Sequence, residues 1–78
     1  MTHKLFAERL NQELDSIDVP IREEDRIDAF SKMFHIPKYQ ADAMIHGIAL
    51  PKTDLLNMIA KEFEVNPLWL SGEEEKRS

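Results

Sequence analysis

Residues 23–47 read EEDRIDAFSKMFHIPKYQADAMIHG, and the fold turns on Pro37 in their middle. Ile27, Phe30, Met33 and Phe34 recur at i, i+3, i+4 spacing behind Glu23, Glu24 and Asp25, whose negative charge stabilises a helix start. Pro37 cannot continue that helix, because it lacks the N–H that an interior turn uses. It suits the first turn of a new helix, where that N–H would have no partner. The stretch therefore predicts two short helices joined by a tight turn at His35 and Ile36. The second runs from Lys38 to Ile45, with Gly47 placed to take the left-handed conformation that closes it. Ala41, Met44 and Ile45 face inward, and small Ala41 lets the two helices approach closely. Lys38, Tyr39, Gln40, Asp42, Ala43 and His46 point elsewhere.

The flanks extend the pattern. Leu5, Phe6, Leu10, Leu14 and Ile17 form the apolar stripe of a preceding amphipathic helix, and Pro20 makes residues 17–22 a connecting loop. After Pro51, Thr53 or Asp54 caps a fourth helix whose apolar face is Leu55, Leu56, Ile59, Ala60 and Phe63. Asn66 and Pro67 read as N-cap and first residue of a short fifth helix containing Leu68, Trp69 and Leu70, ended by Gly72. Residues 73–78, EEEKRS, read as a frayed, solvated tail.

Composition bounds what such a chain does. Its 78 residues allow one compact domain, and 42 % hydrophobic with 32 % charged residues is ordinary for a small folded one. With no Cys, disulfides, thiolate metal sites and Cys nucleophiles are excluded, and no apolar run approaches the ~20 residues of a spanning helix. No membrane association and a cytoplasmic location are expected. A net charge of −5 argues against coating nucleic acid through bulk positive charge. Only residues 26–52 carry a positive balance, four basic against two acidic side chains, so an anion would be bound there or the excess is chance.

Several quoted stretches resemble the phage repressor and Cro-like helix-turn-helix transcriptional regulators. They are Phe6 to Asn11, the Pro20 loop, Ala29 to Ile36, Gly47 followed by Pro51, and above all FEVNPLWLSGE at residues 63–73. The resemblance covers roughly residues 5 to 73. It implies an all-α, compact five-helix lambda-repressor-like domain over residues 1–72, with the helix-turn-helix at about 26–46 and a charged tail at 73–78. It also implies that the third helix enters the major groove of double-stranded DNA, and that the start of the second helix anchors a phosphate. Such domains read two half-sites about one helical turn apart, so a homodimer is expected.

Carried over residue by residue, Lys38, Tyr39 and Gln40 match the exposed start of the recognition helix. Lys suits guanine or phosphate, Gln suits adenine, and Tyr suits phosphate or a thymine methyl. Asp42 and Ala43 match positions where relatives often carry polar or basic residues, and Asp42 either repels phosphate or accepts from cytosine. Lys32 and Lys52 are candidate phosphate clamps, and His46 suits the helix C-terminus, where its charge meets the dipole. Each of these side chains has a plainer reading as solvated surface, and Tyr39 one as packing over the turn. Arg26 is placed either to pair with a neighbouring acid or to reach DNA, and His35 reads as a turn residue. Leu68, Trp69 and Leu70 close the core under the fourth helix, or in part supply the dimer interface.

Catalysis finds little footing. There is no Gly-rich phosphate loop, Ser nucleophile motif or His-x-x-x-His pair, and His3, His35 and His46 lack ligand spacing, so no catalytic residue, metal or cofactor is expected. The rival to DNA binding is a helix-turn-helix fold whose reading face serves a protein partner: an antirepressor, an antitoxin-like chain or a DNA mimic. It is motivated by Asp42, by the acidic Glu23-Glu24-Asp25, and by Ile27, which stands where many of the family carry a Gln. A contiguous positive face from Lys32, Lys38 and Lys52 favours DNA, whereas a neutral or acidic face favours protein.

Overall fold

A computed structural model describes residues 3–78, which form five α-helices and, among the described residues, no strand. They are α1 (His3–Ser16), α2 (Glu23–Phe34), α3 (Lys38–Ile45), α4 (Thr53–Phe63) and α5 (Pro67–Leu70). The apolar stripes read from the sequence meet in one core. Phe6, Leu10 and Leu14 of α1, Phe30 of α2, Ala41 and Met44 of α3, Ile59 of α4 and Leu70 of α5 are all fully buried. Phe30, Phe34 and Phe63 continue it edge to face, with ring centroids 5.2 and 6.1 Å apart. α3 packs mainly on α2 and secondarily on α1, which leaves its Tyr39 and Asp42 side to solvent.

The turn between α2 and α3 is three residues, 35–37. His35 takes the left-handed conformation (φ 54°) and ends α2, while the Ser31 hydroxyl donates to the Ile36 carbonyl at 2.5 Å. Pro37 stands one position earlier than expected, as the N-cap of α3, and its carbonyl accepts from the Gln40 and Ala41 amides at 3.1 Å each. Its missing N–H costs nothing there either. Gly47 has φ 71°, and a Cβ on it would lie 3.2 Å from the His3 carbonyl oxygen, so close approach of α1 adds to the conformational demand.

Other expectations need correction. Neither Thr53 nor Asp54 caps α4: the N-cap is extended Lys52, with no side-chain cap, and Asp54 lies in the first turn, where its charge favours the helix dipole. Asn66 does cap α5, accepting from the Leu68 amide at 3.0 Å with Pro67 next. The tail is solvent-exposed but not frayed. The Arg77 guanidinium donates to both oxygens of buried Glu13 at 2.8 and 2.6 Å, and the Arg77 carbonyl accepts from the Asn66 amide at 2.7 Å. Arg9 donates to the Trp69 and Glu74 carbonyls, and the guanidinium carbons of Arg9 and Arg77 lie 4.9 and 5.9 Å from the Trp69 ring centroid.

Candidate nucleic-acid interface

The three-residue turn leaves the first turn of α3 projecting, and what each side chain can do there follows from its neighbours. Tyr39 is 78 % exposed. Lys38 is exposed, while Gln40 and Ala43 are half-buried, and Asp42 and His46 sit exposed further along the helix. Lys38 and Lys32 are not free cations. Asp28 of α2 receives both, Lys32 Nζ at 2.9 Å and Lys38 Nζ at 3.2 Å, so one carboxylate ties a candidate phosphate clamp, Lys32, to the candidate reading residue Lys38 across the turn. Hydrogen bonds from Lys32 and then Lys38 hold the Asp28 carboxyl below its ordinary value. Lys52 is exposed at the start of α4 and forms no ion pair among the described residues.

At the other end of α3, His46 meets two acids from two helices. Its Nε2 lies 2.6 Å from Glu23 Oε1, at the start of α2, and its Nδ1 lies 2.6 Å from Asp42 Oδ1 and 2.9 Å from the Asp42 carbonyl oxygen. The Asp42 backbone carbonyl, with the two carboxylates adding to it, raises the imidazole above its ordinary value. A raised folded-state value means that this bridge stabilises the fold below about pH 6.5 and that its contribution is lost as pH rises through the folded value. Glu23, Asp42 and His46 have ligand atoms within 4.8 Å of one another. The two carboxylates address different ring nitrogens, which is the arrangement of a proton bridge rather than of ligands converging on one ion.

Other candidates resolve into structural roles. Arg26 is buried and serves the α1–α2 loop: it donates to the Pro20 carbonyl at 2.9 Å, the Val19 carbonyl at 3.1 Å, Asn11 Oδ1 at 3.0 Å and Asp15 Oδ1 at 2.5 Å. It therefore pairs with the neighbouring acid and does not reach outward. Trp69 and Leu70 are buried within the single chain, so of the expected dimer residues only Leu68 offers exposed surface. Surface depressions of 280 Å³ beside Asp15, Val19 and Ile21 and of 400 Å³ beside Met33, Met58 and Glu62 are lined by no residue of α3.

Sequence reasoning missed Asp28 and the partner of His46. Asp28 and Lys32 sit at i, i+4 on α2, a visible signal, but the reach to Lys38 depends on the turn geometry. The meeting of Glu23 with His46 joins residues 23 positions apart and has no local signature. No described helix is long and apolar enough to cross a membrane. No family model, curated protein or solved structure matches the chain.

Proposed function

We propose that this protein is a sequence-specific DNA-binding transcriptional regulator of the phage-repressor type, acting in the cytoplasm as a homodimer that lays α3 in the major groove. The observation that carries the reading is the projecting start of α3, where Lys38, Tyr39 and Gln40 follow a three-residue turn from α2. An eight-residue helix is about 12 Å long, the width of the major groove. Tyr39 and Lys38 then reach base edges or phosphate, Gln40 reads adenine, and Lys32 and Lys52 contact the backbone on either side. Asp42 and Ala43 face the same groove further along. The mechanism is occupancy of a control site, with no chemistry by the protein.

Selection from a randomised duplex pool tests this. A recovered site with two-fold symmetric half-sites about 10 bp apart centre to centre supports a dimeric helix-turn-helix reader. A pool that never enriches, at low salt and high protein concentration, counts against it.

A second reading has an observation of its own. Because Asp28 takes up Lys32 and Lys38, and Glu23 and Asp42 flank His46, the face around α3 is nearer neutral than positive. Such a face, with Tyr39 at its tip, also suits a protein partner. In that case a pull-down loses its partner on Tyr39→Ala, and duplex DNA does not compete.

A further inference from the structure

We propose that His46 is a proton-operated clamp that cancels the charge of Glu23 and Asp42 beside the DNA-reading face, so that duplex affinity falls when the ring loses its proton. This inference rests on the DNA reading above and names its regulation. The geometry carries it. Both ring nitrogens stand 2.6 Å from carboxylate oxygens, and only an imidazolium has an N–H on each nitrogen to donate. A neutral ring donates one and turns a lone pair toward the other carboxylate, so one arm of the bridge must open.

The clamp sits where opening matters. Glu23 is the first residue of α2, and Asp42 is exposed on α3; in a helix-turn-helix complex the first helix crosses the phosphate backbone while the second lies in the groove. With the proton, the three groups sum to one negative charge; without it, they present two to the phosphates. The charged groups facing the ring are Glu23 from α2 and Asp42 from its own helix. α1, which also packs on α3, brings the His3 carbonyl and Ala7 toward the adjoining Gly47, and none of its described charged side chains pairs with His46. The ring's raised affinity for its proton agrees with this environment.

Two measurements test the clamp. Fluorescence anisotropy on a labelled random-sequence duplex at low salt, from about pH 5.5 to about 8.5, reads the regulation. Wild type is expected to lose about tenfold in affinity across that range, the change produced when DNA raises the proton affinity of His46 by about one unit. His46→Gln should bind at every pH as wild type does at the alkaline end. The double variant Glu23→Gln, Asp42→Asn should bind more tightly than wild type at every pH, with the midpoint of its remaining pH dependence moved to lower pH. A double variant that binds no tighter than wild type at the alkaline end, where both carboxylates stand uncancelled, overturns the clamp; a flat wild-type profile with binding intact overturns it too. Nitrogen-15 NMR of the ring is the second measurement. Both nitrogens should be protonated at about pH 5.5 in wild type, with the titration shifted down in the Glu23→Gln protein, and a titration that does not move in that variant overturns the bridge. Absence of duplex binding by every variant at every pH overturns the DNA reading and this regulation together, which distinguishes that failure from a flat profile.

Discussion

Asp28 governs how much positive charge α3 presents, because it holds Lys32 and Lys38 through its two oxygens. Under the proposed DNA reading, phosphates compete with it for both ammonium groups, so Asp28→Asn is expected to tighten non-specific duplex binding and to steepen its salt dependence, measured as the slope of log affinity against log salt. A weaker-binding variant would mean that Asp28 orients the lysines rather than withholding them. Base reading is tested separately. Lys38→Ala and Gln40→Ala should each cost about 1 to 3 kcal/mol at the selected site and relax preference at one position. A uniform loss across all sequences, from competition with scrambled duplexes, would assign the residue to phosphate contact. Much here was legible from residue types alone, including the exposed start of α3. The pairing of its lysine was not, since salt-bridge partners across a turn depend on where two helix ends come to lie.

The loop before α2 shows how one side chain sets an element's place. Residues 17–22 contain Pro20 and no regular structure, and Arg26 fastens them through the Val19 and Pro20 carbonyls while reaching Asn11 and Asp15 on α1. Arg26→Ala should destabilise the fold by about 2 to 3 kcal/mol, in the range of charge-assisted hydrogen bonds, as read from urea unfolding. Hydrogen exchange at the Val19 amide, which donates to the Leu14 carbonyl at 3.1 Å, should rise more than in α4 if the effect is local. All five helices were legible in the sequence because each has an apolar stripe and most have a cap or breaker: Pro37, Gly47, Asn66 with Pro67, and Gly72. The start of α4 was misplaced by one or two residues because Thr and Asp are the stronger cap formers, whereas here Lys52 takes the extended position and Asp54 acts through charge in the first turn.

Over the whole chain, the two ends hold each other. Glu13 on α1 is 2 % exposed and receives both arms of Arg77, 64 residues away, across the Trp69 ring. The Glu13 carboxylate raises the Arg77 guanidinium above its ordinary value. Removing one partner strands a buried acid, while removing both charges does not. Arg77→Ala should therefore lower the melting temperature more than the double variant Glu13→Gln, Arg77→Ala does, and Trp69 fluorescence should shift in the single variant. Equal melting temperatures would show that the tail is not a structural fastener. The sequence hid this link because Glu13 reads as one of the polar-face residues of an amphipathic helix, and a run of charges at a chain end usually belongs to solvent.

Residue-resolved NMR of the labelled protein titrated with duplex at low salt reads out whether α3 is the surface that meets DNA. Amide shifts concentrated on Lys38, Tyr39, Gln40 and Asp42, with smaller ones at Lys32 and Lys52, are the predicted result. Shifts confined to α4, α5 or the tail, or none at all, would contradict it.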